Sequence, residues 1–114
     1  MGAEIESGMT SSNKVGLYEK LAVAICSAVF QYNGIYEETL SDWFVGLRLI
    51  VPELERPRDL IDAFHRLSGN GIIELRRRGF GPYNGGNECF FLGSPFTVIL
   101  TTSGAIRTRR SHLV

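Results

Sequence analysis

Cysteine is scarce in this chain. There are two, Cys26 and Cys89, 63 positions apart, with no CxxC pair and no metal-ligand spacing to His65 or His112. That leaves neither a disulfide framework nor a zinc signature to read. Cys26 lies in an apolar run and Cys89 opens an aromatic one, so both read as small buried hydrophobes. Long apolar runs are missing too. The longest, Leu21 to Phe30, has ten residues, where a membrane-crossing helix needs about 20. No basic stretch followed by an apolar one marks a secretory leader. These absences predict a soluble, cytoplasmic chain with no membrane partner. A net charge is also lacking, since twelve basic residues face twelve acidic ones. That excludes a uniformly basic coat for nucleic acid.

What is present is an ordinary globular composition. The 114 residues are 44% apolar and 21% charged, enough for one domain with one core. The zero net charge conceals a split. Residues 1–55 hold three basic residues against eight acidic ones, a net of −5, and residues 56–114 hold nine against four, a net of +5. All nine basic residues of the second half are arginine, whose planar fork suits phosphate and carboxylate. Such asymmetry points to an anionic partner, although an unevenly charged solvated surface would look the same.

Periodicity divides the chain. Residues 1–13, without a period, read as a flexible tail. A first helix should start near Ser12 or Asn13, where side chains can cap it. It should run to Tyr32 and stop at Asn33-Gly34. It is apolar on more than one face from Leu21 onward, so it is either central to the core or shared with a second copy. A second helix is expected over 37–47. Leu40, Trp43, Phe44 and Leu47 share one of its faces, and Glu37 and Glu38 occupy its first turn. A third should begin at Pro57 and bury Leu60, Ala63, Phe64 and Leu67. Gly69-Asn70-Gly71 should stop it. The period then changes to two. Ile73 and Leu75 point one way, and Glu74, Arg76 and Arg78 the other. A loop over 79–87, four of whose nine residues are glycine, should join this strand to a second at 88–92. After a break at Gly93-Ser94-Pro95 comes a third strand, 96–101. Residues 103–114 either begin a short helix or trail off.

Nothing here assembles a catalytic group. His65 has no companion nucleophile. Asp59 and Asp62 lie on a helix face with arginines nearby, where a solvated charge network accounts for them. The glycines of 79–86 do not lead from a strand into a helix, so they form no phosphate cradle. The expectation is a non-enzyme without cofactor or metal.

Helix, helix, helix and a hairpin with a glycine-rich loop is the order of a winged helix-turn-helix, an α+β fold, and the chain resembles that superfamily. The likeness lies in Asp59-Leu-Ile-Asp-Ala-Phe-His-Arg-Leu-Ser-Gly-Asn-Gly-Ile-Ile-Glu-Leu-Arg-Arg-Arg78, which is similar to the end of a recognition helix and a wing strand. It continues in Leu100-Thr101-Thr102-Ser103-Gly104, similar to the Leu-Thr-x-x-Gly that closes a wing. The matched stretches cover about 45 of the 114 residues, and their motifs record packing and turns. The resemblance implies a tail at 1–13, a winged-helix domain at 14–104 and a basic tail at 105–114. It further implies a transcriptional regulator on duplex DNA, possible as a homodimer through the first helix. The third helix would enter the major groove with Arg58, His65 and Arg66. The wing would meet phosphate with Arg76, Arg77 and Arg78 at its base and Tyr83 and Asn84 at its tip. Alternation allows at most two of the three wing arginines to face one partner. The near-neutral third helix, with Asp59 and Asp62 among its arginines, leaves open a second implication: a winged-helix module that binds an acidic protein surface and no DNA. Leu40-Ser41-Asp42-Trp43-Phe44, Arg58-Asp59-Leu60 and Gly71-Ile72-Ile73 also resemble DEP signalling domains, winged-helix folds that bind membranes or receptors.

Overall fold

The computed structural model describes the backbone of residues 2–83, 85 and 88–113 and the side chains of 16–83, 85 and 89–110. The fold is α+β. Helix α1 spans Gly2–Gln31, strand β1 Ile35–Glu38, α2 Leu40–Ile50, α3 Pro57–Gly69, β2 Ile73–Arg77, β3 Gly81–Pro82, β4 Phe96–Leu100 and α4 Thr102–Leu113. The strands form one antiparallel sheet in the order β1-β4-β2-β3. Ile35 stands opposite Ile99, Ile73 opposite Leu100, and Arg76 opposite both Thr97 and Pro82.

The helix stops follow the local chemistry. Asn33 and Gly34 take left-handed backbone angles of 62° and 89°, and the Gly34 N–H donates to the Val29 carbonyl at 2.9 Å. This closes the end of α1 as the Asn-Gly pair predicts. Thr39 caps α2, its hydroxyl accepting from the Asp42 N–H at 3.1 Å. Pro57 begins α3. The Thr101 hydroxyl accepts from the Gly104 N–H at 3.0 Å and so caps α4.

Three expectations change. The backbone is already helical at Gly2, where the sequence indicated a tail to 13. No proline interrupts 2–31, and extending an existing helix costs little compared with starting one. Residues 35–38, assigned in part to the second helix, form β1. Pairing with β4, about sixty positions away, outweighs the helical preference of Glu37 and Glu38. Glu88–Phe91 is a 3-10 turn and not a strand. Phe90 and Phe91 are adjacent and both buried, which a period of two forbids. Of the two alternatives for the last residues, the helix forms, as α4 over Thr102–Leu113.

The core lies between one face of the sheet and the helices. Phe64 of α3 sits at its centre, edge-on to Trp43 at 5.4 Å and to Phe96 at 5.3 Å, and stacked on Phe91 at 5.7 Å. Such ring pairs add to the value of the apolar area they bury. The indole N–H of Trp43 is buried with no described partner, a local cost within this cluster. Residues 73, 75, 96, 98 and 100 face the core, and the other face of the sheet meets solvent, as antiparallel sheets permit. α4 can lie close to the sheet because residue 104 is glycine. A Cβ there would fall 2.1 Å from the Ile72 carbonyl oxygen.

Candidate nucleic-acid interface

α3 buries Leu60, Ala63, Phe64 and Leu67, as its spacing predicts, and turns Arg58, Asp62, His65 and Arg66 outward. Each of the three basic side chains expected to read DNA has a partner in the same molecule. Arg58 pairs with Asp62 one turn on, at 3.5 Å. Arg66 lies over the ring of Tyr18 in α1, 5.2 Å from its centre. His65 Nδ1 is 3.1 Å from the Tyr83 hydroxyl. Asp59 is held at 3.7 Å by Arg56, just before the helix. These exposed pairs are weak, worth about 0–1 kcal/mol each, so a polyanion could displace them.

The three consecutive arginines separate. Ile73, Leu75 and Arg77 share a parity, so strand alternation carries Arg77 to the core side. There it donates to the carbonyls of Cys89 and Phe90 at 2.8 and 2.7 Å, with its guanidinium 4.4 Å from the centre of the Phe80 ring. Its Nε is buried without a described partner. Arg77 thus fastens the loop between β3 and β4 and is not available for phosphate. Arg76 points to solvent, bonded to Glu74 on the same strand at 2.7 Å. Arg78 is exposed in the turn that follows, with no partner among the described residues.

The loop also differs from expectation. Phe80 N–H donates to the Arg77 carbonyl at 3.0 Å, and Gly79 takes an angle of 89° at the position that demands it. The chain therefore reverses directly after the arginines. It forms β3 and returns to the body, and Tyr83 does not stand at a projecting tip. Its N–H donates to the Leu75 carbonyl at 2.9 Å, and its ring packs on Phe90 and Phe91 at 5.2 and 5.3 Å. Gly85 lies against His65, whose Cε1 would be 3.3 Å from an added Cβ. Tyr83 and Gly85 thus both lie beside His65 of α3. Asn84 lies outside the described residues.

The sheet register keeps the basic groups of the second half apart. Arg76–Arg78 stand at one end of β2, while α4 begins beside the other end, where Ile73 faces Leu100. Arg109 and Arg110 are exposed on α4 and do not join the arginines of β2. The cysteines also divide. Cys26 is buried as expected, whereas Cys89 is exposed, and both are free thiols. The 3-10 turn directs Phe90 and Phe91 inward and leaves Cys89 outside.

The sequence did not disclose Tyr18 as the seat of Arg66. That contact arises from α1 packing on α3, and no local pattern records it. Among the described residues no helix is long and apolar enough to cross a membrane. No family model, curated protein or solved structure matches the chain.

Proposed function

We propose that the chain is a winged helix-turn-helix DNA-binding protein that sets α3 toward the major groove and Arg76 and Arg78 against phosphates. The observation that carries this reading is the topology. A helix, a short strand, two helices and then β2, the two-residue β3 and β4 follow one another, and the last strand inserts between β1 and β2 in the order β1-β4-β2-β3. A winged helix-turn-helix is built in this order, with its third helix exposed on one side. α3 presents Arg58, Asp62, His65 and Arg66 outward in this way. Arg76 and Arg78 supply a positive edge of the kind that tracks phosphate.

A second reading is a protein-interaction module, and a specific observation favours it. The cations of α3 are balanced by Asp59 and Asp62 and by rings within the same chain, so this face has little net charge to attract phosphate. An acidic protein partner would then meet Arg76 and Arg78 alone. Retention on nonspecific duplex DNA at low salt separates the two readings. DNA binding predicts retention that the double variant Arg76→Ala, Arg78→Ala weakens across all sequences. Absence of retention leaves the interaction module.

A further inference from the structure

The turn between β2 and β3 stands in solvent. Arg78, Gly79, Phe80, Gly81 and Pro82 are five consecutive exposed residues. The tip is narrow. A Cβ added at Gly79 or Gly81 would meet nothing within 4 Å, so the backbone there can approach another surface closely. Its charge is of one sign. Residues 75–83 include three arginines and no carboxylate. Arg76 and Arg78 are exposed beside the turn, and Arg78 has no partner among the described residues.

Phe80 is the apolar residue of this basic tip. It is 49% exposed, whereas Phe90 and Phe91 nearby are buried. Its ring is nevertheless held in place. The guanidinium of Arg77 lies 4.4 Å from the ring centre, and Arg77 is itself fixed by the carbonyls of Cys89 and Phe90. The Phe90 ring stands edge-on at 6.5 Å. The protein thus supports the ring from one side and leaves about half of it in water. A side chain oriented before binding needs little ordering afterwards, which removes part of the usual cost of association.

We propose that Phe80 is an apolar wedge that presses on a base step of duplex DNA and partly unstacks it, between phosphates met by Arg76 and Arg78. Every base step offers an apolar π-face with phosphates beside it, and a fixed ring flanked by two cations complements that arrangement. This inference rests on the DNA-binding reading above and adds to it a contact that salt does not screen. Pyrimidine–purine steps such as TA unstack most easily, so the wedge should favour them.

The test uses the full chain and a duplex of repeated TA steps in which 2-aminopurine, a base that brightens when unstacked, replaces some of the adenines. Anisotropy gives the affinity across a salt series, and 2-aminopurine fluorescence reports the bases. Saturating parent protein should raise that fluorescence. Phe80→Ala should abolish the rise and weaken binding about tenfold, as the loss of one base–aromatic stack does. Its salt slope should match that of the parent, because the ring carries no charge. The double variant Arg76→Ala, Arg78→Ala should instead flatten the slope. The parent complex alone tests the wedge, whatever Phe80→Ala does to the turn: bound DNA whose 2-aminopurine stays dark overturns it. Phe80→Ala that binds as tightly as the parent, or that loses affinity with a flattened slope, overturns it as well. In each of these outcomes the parent still binds, so the DNA-binding reading survives. Absence of parent binding at about 50 mM salt overturns both.

Discussion

The hydroxyl of Tyr83 lies 3.1 Å from Nδ1 of His65, and this contact ties the residue that follows β3 to the exposed side of α3. The contact is polar and exposed, whereas the Tyr83 ring packs on Phe90 and Phe91. The two parts of the side chain therefore have separable values. Tyr83→Phe should cost about 0.5–1 kcal/mol, the usual net worth of one hydrogen bond. Tyr83→Ala should cost about 2–4 kcal/mol, toward the lower end for aromatic truncation because the ring is only partly buried. Urea unfolding of the two variants measures the difference, and equal losses would place the whole effect in the hydroxyl.

The three neighbouring arginines should behave differently in the same experiment. Arg77→Ala leaves two carbonyls without their donor and removes a cation from the Phe80 ring. About 1.5–3 kcal/mol of stability should be lost, the range for hydrogen bonds to a charged group. Arg76→Ala and Arg78→Ala should each stay within about 0.5 kcal/mol of the parent, as exposed substitutions do. A comparable loss at Arg78 would show that the turn is held by contacts other than these.

Two glycines give an opposed pair. At Gly104 an added methyl would meet the Ile72 carbonyl oxygen at 2.1 Å and Leu100 at 3.1 Å, so Gly104→Ala must push α4 off the sheet. The expected loss is about 3 kcal/mol or more, beyond ordinary overpacking. Gly46 lies inside α2 with nothing within 4 Å of the added atom. Gly46→Ala should raise stability by about 0.5–1 kcal/mol through helix propensity. Thermal melts of both variants check the signs.

Tyr36 carries an alkaline titration. It donates a hydrogen bond to Glu38, and this bond, helped by burial and the carboxylate charge, pushes its pKa up from 10.0 to about 12. The folded-state value exceeds the unfolded one. The stabilisation is therefore complete below pH 10 and is lost as pH rises through about 12. An ultraviolet tyrosinate titration should show a late component that Tyr36→Phe deletes and Glu38→Gln moves to lower pH. A late component that persists in Tyr36→Phe would assign the shift to another tyrosine.

Parts of this molecule were legible in the sequence because their causes are local. Pro57 and the spacing of Leu60, Phe64 and Leu67 define α3, and Asn33-Gly34 defines the end of α1. Alternation from Ile73 onward already separates Arg77 from Arg76 and Arg78. The Leu100-Thr101-Thr102-Ser103-Gly104 motif has physical content in the structure, with Thr101 as cap and Gly104 as contact. The rest depends on distant partners. β1 has four residues, and its identity comes from β4. The 3-10 turn at Glu88–Phe91 is set by the burial of Phe90 and Phe91 and by the hydrogen bonds from Arg77. The contacts that occupy His65 and Arg66 join residues 18 and 48 positions apart. Within the site, the i,i+4 pair Arg58–Asp62 could be read from spacing, whereas the contact of Tyr83 with His65 could not.

The most direct test of the proposed function is equilibrium binding of the full chain to a random-sequence DNA duplex, followed by fluorescence anisotropy across a salt series. Two phosphate-neutralising arginines, Arg76 and Arg78, predict measurable binding at about 50 mM salt, with log K falling roughly 1.8 units per log unit of salt, ~0.9 for each phosphate. Absence of binding at that salt, or binding whose slope is unchanged in the Arg76→Ala, Arg78→Ala variant, would contradict the account.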